Sequence, residues 1–268
     1  MKKLKLAAGL LACCMAWTPI QAFAVNLHDE TTMTNQEKEM KEYADIIINL
    51  VNNERVFYRG LDEVSTFPAL NEITCVRAEE TSRFYGHTRP DGSLCFSALK
   101  DDAKIAYNAA YENIAAGQPN PATAVQCWMD SEGHRKNILR ENLTHLGVGY
   151  YYLAQDPNRY QFYWSQFLIV NRDAGVPHIF EEEGQYIPER WYGDPDGSHE
   201  INAADAKMIL YYEARRSAGI DIKTPTGFET AADVNQDGVV NAVDASIILE
   251  YVAALGSGTG GELSDYVW

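Results

Sequence analysis

The strongest constraint on this chain is an acidic loop that occurs twice. Asp233 to Asp244 reads DVNQDGVVNAVD, with Asp, Asn, Asp, Asn and Asp at loop positions 1, 3, 5, 9 and 12 and Gly238 at position 6. A hard cation such as Ca²⁺ takes six or more oxygens, and short carboxylate and amide side chains at alternate positions supply them from one tight turn. Gly238 suits the point where a Cβ would obstruct that turn, and Val239 at position 7 needs to offer only its carbonyl. The helix-like run ASIILEYVAAL follows. At an offset of 39 residues upstream stands DPDGSHEINAAD, Asp194 to Asp205, followed by AKMILYYEA. Asp194, Asn202 and Asp205 align with Asp233, Asn241 and Asp244, and Ile209, Leu210 and Tyr212 align with Ile248, Leu249 and Tyr251. A repeated loop and helix implies two equivalent units, neither able to bury its apolar face alone. The expected cation ligands are Asp194, Asp196, Ser198, Glu200, Asn202 and Asp205 in the first loop. In the second they are Asp233, Asn235, Asp237, Val239, Asn241 and Asp244.

Residues 191–256 therefore resemble a type I dockerin, a small all-α module with two EF-hand-like loop–helix repeats. The resemblance implies two Ca²⁺ sites and, as partner, a cohesin module of a cellulosome scaffold. It also implies a contact surface at the helix starts, Ala203 and Ala204 in the first repeat and Ala242 and Val243 in the second. The first loop departs from the pattern, with Ser198 at position 5 and His199 where the turn glycine belongs. Duplication permits two docking orientations.

The N-terminus reads as an export signal over residues 1–24. MKKLK is basic, LAAGLLACCMAW is apolar, and Ala22-Phe23-Ala24 forms a small-x-small cleavage site. The apolar run is too short to span a bilayer, so no transmembrane span is expected. Leu10-Leu11-Ala12-Cys13 resembles a lipobox and offers a rival processing site at Cys13. The formal charge of −16 argues against nucleic acid or an anionic membrane face as partner. Cleavage would leave Cys75, Cys95 and Cys127, an odd number unsuited to a disulfide scaffold. A Cys75–Cys95 bridge and three buried free thiols both remain open.

Between these ends lies a mid-sized domain, residues 25–171. Thr34 with Glu37 makes a capping box, and Met40, Tyr43, Ile47, Leu50 and Val51 mark an amphipathic helix to about Tyr58. A second helix starts near Pro68, carries Leu70, Ile73, Val76, Ala78 and Phe84, and stops at Gly86. A turn-rich loop, HTRPDG, follows. A less regular segment leads to Tyr111, and a helix opens at Pro119-Asn120-Pro121 and reaches Trp128. His145 to Leu153 and Tyr160 to Val170 read as an antiparallel hairpin. Residues 172–190 are the expected linker, and residues 257–268 a flexible tail.

The ordered motifs LVNNERVFYRGL, HTRPDG, YENIAAG, WMDSEGHRKNIL, THLGVGYYY and YWSQFLI, within about residues 40–171, resemble the bacterial branch of the CAP superfamily. That resemblance implies an α-β-α sandwich, and with the repeat module an α+β chain. It also implies a cleft of two His and two Glu that holds a divalent metal in some members. Carried over by motif, the cleft residues here are His87 and Glu112, with His134 as a further candidate. The second Glu is replaced by Ser131, with Asp130 and Glu132 beside it.

A loop histidine is well placed to exchange a proton or bind a metal near neutral pH, and a carboxylate beside it can orient the ring. Structural roles for the same residues stay open. His134 can bond a backbone carbonyl, Glu112 can cap the segment after it or pair with Arg135, and Arg135 itself suits a buried ion pair. Trp128 and Trp164 are expected in the core. The function expected is that of a secreted, scaffold-attached accessory protein whose CAP cleft binds a peptide, lipid or glycan. The alternative is a metal-assisted or acid/base hydrolase acting on peptide or polysaccharide through His87, Glu112 and His134.

Overall fold

The computed structural model describes residues 35–171 and 184–267. The export signal, its cleavage sites, Thr34 and most of the expected linker lie outside them. The described residues fall in one compact unit, Thr34–Trp268.

Helix α1, Asn35–Asn52, continues as a π-helical turn, Asn53–Phe57. Helix α2, Pro68–Arg83, begins with proline at its first turn, where a missing N–H costs nothing. Strand β1 (Ala109–Ala116), helices α3 (Pro121–Asp130) and α4 (Glu132–Ile138), and strands β2 (His145–Tyr152) and β3 (Phe162–Val170) complete the first half. Asn120 caps α3 by accepting from the Thr123 N–H. The sheet is antiparallel in the order β1-β3-β2.

Alternation along β3 explains the layers. Trp164, Leu168 and Val170 face a core shared with α1 and α3, whereas Phe167 and Ile169 face a second core under α2. With both faces covered, β3 reads as an almost unbroken apolar run. Both Trp128 and Trp164 are buried, as expected. The result is the α-β-α sandwich that the motifs imply. Helix α2 lies directly on the β2 backbone. A Cβ on Gly147 would fall 2.6 Å from the Leu70 Cγ, and one on Gly149 would collide with the Thr74 carbonyl.

Three expectations change. The segment leading to Tyr111 was expected to be less regular, yet its end opens β1, which runs on through Glu112 and Asn113, both poor strand formers. It forms as an edge strand because tertiary partners satisfy both side chains. Asn113 donates to the Gln166 Oε1 (3.1 Å) and accepts from the Asn137 Nδ2 (3.0 Å). Helix α2 stops at Arg83, and Phe84 turns outward, 52% exposed. Arg135 makes no buried ion pair among the described contacts; its guanidinium donates to the Met129 carbonyl at 2.5 Å. All three described cysteines are free thiols.

The second half carries α5 (Ala203–Ser217), α6 (Phe228–Ala232) and α7 (Ala242–Ser257). Their core gathers Ile209, Tyr212, Phe228 and Ile248, and it also admits Phe57 from the π turn of the first half. Parts of the expected linker and of the expected flexible tail pack on the fold. Tyr186, in the expected linker, exchanges backbone hydrogen bonds with Thr66 and donates its hydroxyl to Asp45. In the expected tail, a 3₁₀ turn (Leu263–Tyr266) buries Leu263 in the helical core and sets Tyr266 edge-on to Tyr251.

Replacing Gly149 with alanine should cost ~1–3 kcal/mol, because α2 must move off the sheet. Chemical denaturation is the measurement, and an unchanged midpoint would contradict the close approach.

Candidate functional site

The first candidate site lies at the β1 edge. Glu112 projects from β1 toward α2 and is buried. A buried carboxylate must be paired, and here both oxygens are engaged. Oε1 accepts from the Arg77 Nε at 2.9 Å, and Oε2 lies 2.8 Å from the His87 Nδ1. Arg77, fully buried on α2, also reaches Glu80 (2.6 Å) and the Gly86 carbonyl (3.2 Å). Glu80 in turn holds Arg89, which pairs with Asp102 at 2.8 Å. The chain of charges fixes the HTRPDG loop and leaves the His87 ring facing solvent, its side chain 60% exposed.

The hydrogen bond to Glu112 raises the His87 pKa above its ordinary value. His134, on α4, moves the other way, lowered first by burial and then by the charge of His87. Its Nδ1 is buried without a hydrogen-bond partner, and its carbonyl accepts from Asn113 at 3.3 Å. The three motif residues are thus brought together, with Glu112 paired to Arg77 rather than Arg135. Asp130 bonds Gln126 instead. Sequence reasoning missed Arg77; nothing in its helical context separates it from a surface arginine.

A divalent metal does not fit this donor set. Glu112 has no free oxygen, Ser131 replaces the second Glu, and among the described residues no metal-like grouping of His, Cys, Asp and Glu includes His87 or His134.

The second candidate site is the repeated loop. Both copies fold alike. Position 1 accepts from the backbone N–H of positions 5 and 6: Asp194 from Ser198 and His199, Asp233 from Asp237 and Gly238. Position 12 reaches back across the loop, Asp205 to the Asp196 and Asn202 N–H, Asp244 to those of Val234, Asn235 and Asn241. Position 9 caps the following helix, Asn202 on α5 and Asn241 on α7. The position 7 carbonyls of Glu200 and Val239 accept from those same asparagines. Ser198 donates its hydroxyl to Glu200, and Asn235 bonds Asp237.

Asp194, Asp196 and Asp205 each place a carboxylate oxygen within 4.8 Å of the others. Burial, and then the neighbouring carboxylates, push Asp194 and Asp205 well above the usual carboxylate range. Like charges held this close are the donor set a Ca²⁺ ion would neutralise. Ala203, Ala204, Ala242 and Val243 are exposed at the helix starts.

Residues 48–167 match the family model of the cysteine-rich secretory protein family, CAP, and residues 192–253 match that of the dockerin type I domain. The chain carries a CAP domain followed by a type I dockerin domain. The CAP domain is 36% identical over 121 residues to an uncharacterized protein of Bacillus subtilis, YkwD, covering 44% of this chain and 46% of that one. It is 32% identical over 108 residues to an uncharacterized membrane protein of the same species, YlbC, covering 38% and 30%. The match thus spans less than half the length of either relative. Among solved structures, an extracellular protein containing an SCP domain from Bacillus anthracis is similar at 23% identity with a TM-score of 0.43, covering 52% of this chain and 44% of that one. Among the described residues of the CAP–dockerin chain, no helix is long and apolar enough to cross a membrane.

Because its folded pKa is raised, the charged His87 contact with Glu112 adds stability below about pH 6.5 and loses it as pH climbs through the raised value. Imidazole titration by NMR should place His87 above His134, and Glu112→Gln should bring His87 down. A His87 value at or below that of His134 would count against the pairing.

Proposed function

We propose that this is an exported protein whose CAP domain is carried to an extracellular scaffold by its Ca²⁺-dependent dockerin domain. The partner is a cohesin module, as the dockerin domain implies. The ions sit in the two loops, held by the residues named above, and the exposed starts of α5 and α7 meet the cohesin. The scaffold is of the cellulosome type, and the CAP cleft at His87 binds a peptide, lipid or glycan. The observation that carries the docking reading is the convergence of Asp194, Asp196 and Asp205 within 4.8 Å of one another inside the dockerin domain. Metal that binds the folded loops but not the unfolded chain adds its binding energy to folding.

With purified type I cohesin modules as bait, the full chain should bind in Ca²⁺ and be released by chelator. The pair Ala204→Asp and Val243→Asp should abolish capture. Capture that survives chelator, or that survives this pair, is inconsistent with the docking reading.

A second reading, an acid/base hydrolase, is favoured by one observation: the solvent-facing His87 ring is held 2.8 Å from buried Glu112, and its shift runs opposite to that of His134. Opposed shifts on neighbouring groups suit one to donate a proton and the other to accept it. Glu112 would then hold the His87 ring. A panel of peptide and polysaccharide substrates tests this reading. Turnover should fall by about 10²-fold or more in His87→Ala, the usual range for a general acid or base; turnover unaffected by that change would assign the cleft to binding.

A further inference from the structure

The two dockerin loops are near-copies, yet among the described contacts the first is the one seated on the CAP domain. The Asn53 Nδ2, from the π turn after α1, donates to the Asp196 carbonyl at 2.7 Å. Gly197 lies so close to α1 that a Cβ there would fall 2.6 Å from the Asn49 Cβ. Arg190 ties three segments together, donating to the carbonyls of Pro195 (2.6 Å), Thr226 (3.1 Å) and Asn49 (3.4 Å). Farther along, Tyr211 of α5 packs on Phe57 and Tyr58, with ring centroids 5.5 and 5.7 Å apart. Thr226 bonds Glu63, and Lys223 pairs with Asp62.

Among the described contacts, none joins the matching positions of the second repeat to the CAP domain. Gln236 and Gly238 are exposed, and nothing lies within 4 Å of the place a Gly238 Cβ would take. Glu250, the counterpart of Tyr211, is exposed on α7.

The seated loop is also the one that departs from the pattern. His199 occupies the position of Gly238 and adopts the same left-handed backbone, with φ of 62° against 85°. That conformation is unfavourable for a residue with a Cβ. Here the His199 ring stacks on Trp191 at 3.9 Å, with 16° between the planes, and its Nδ1 lies 3.7 Å from Glu42 of α1. A second observation lies at the contact between α1 and the loop. The Asn49 side chain is fully buried against Gly197 with both amide atoms lacking a partner, and the Asn53 Oδ1 is likewise buried and unpaired. Buried polar groups rarely stay unsatisfied, so the seat of the first loop sets polar groups of α1 and the π turn against the loop backbone.

We infer that the first cation site is an interdomain site, completed by α1 and the π turn of the CAP domain, whereas the second is self-contained. The inference rests on the calcium reading of the dockerin loops and extends it. Linkage makes the coupling reciprocal: seating on the CAP domain tightens cation binding at the first loop, and cation binding tightens the seat.

The test uses the full chain with Tb³⁺ as the probe. Light that excites only tryptophan reports the first loop through Trp191, and Trp191→Phe confirms the assignment by removing the signal. Ca²⁺ calorimetry reports both loops. Two variants loosen the seat without touching a ligand side chain: Asn53→Ala, and Tyr211→Glu, which installs the residue the second repeat already carries. Circular dichroism verifies that each folds, and Tyr211→Glu stands alone if Asn53→Ala does not.

The half-saturating Tb³⁺ concentration at the first loop should rise about tenfold, within the ~5–150-fold range of intersite coupling. The second calorimetric site should be unchanged. Equal first-loop affinity in wild type and Tyr211→Glu overturns the inference and leaves the calcium reading intact. Wild-type protein with no Tb³⁺ signal and no calorimetric Ca²⁺ binding overturns both.

Discussion

Crowded negative charge shapes the C-terminal half of this protein. Asp194, Asp196 and Asp205 sit within 4.8 Å of one another, and Asp194 and Asp205 are fully buried. Repulsion at that range in a low-dielectric setting would spread the loop open unless something opposed it. Backbone N–H groups do so in part, Asp194 and Asp205 accepting two each and Asp196 one. Arg190 contributes positive charge nearby, and its own pKa is pulled down to about 10 by burial despite those acids. A Ca²⁺ ion would supply the remainder. The same residues therefore organise the loop, cap α5 and form the donor set of the proposed cation site.

The CAP domain solves a related problem with ion pairs. Glu112 is also a buried carboxylate, but a fully buried arginine and a half-exposed histidine neutralise it. Removing either partner of such a pair is costly, since a charge is left stranded in the interior. The consequence at the surface is a histidine whose ring is oriented from behind, in a loop pinned by the ion pairs running through Glu80 and Arg89. His87 is raised by its hydrogen bond to Glu112, whereas His134 is lowered by burial and then by the charge of His87.

The two halves meet through α1. Its apolar stripe serves the sandwich core, and its other side, with the π turn, receives the first dockerin loop and α5. A π turn is an interruption of regular helix often found where a helix serves a second purpose. Here it aims Asn53 and Phe57 at the dockerin domain. Segments expected to be spacers, around Tyr186 and Leu263, take part in the packing.

Much of this was legible from residue order. The duplicated Asp and Asn positions specify both loops, because oxygen ligands must recur at fixed steps around a cation. The β2–β3 hairpin and helices α1 to α3 follow from local periodicity and punctuation. Two CAP motifs, HTRPDG and YENIAAG, carry His87 and Glu112, which the fold sets 2.8 Å apart. Other features depended on contacts between residues distant in sequence. β1 is a strand because Arg77, Asn137 and Gln166 satisfy its polar side chains, and no local preference encodes that. The partner of Glu112 comes from a helix 35 residues earlier. The unequal fates of the two repeats were decided by the surface of α1. Local pattern determines which residues can hold a cation or a proton; only the folded chain determines which other groups share their space, and so their charge.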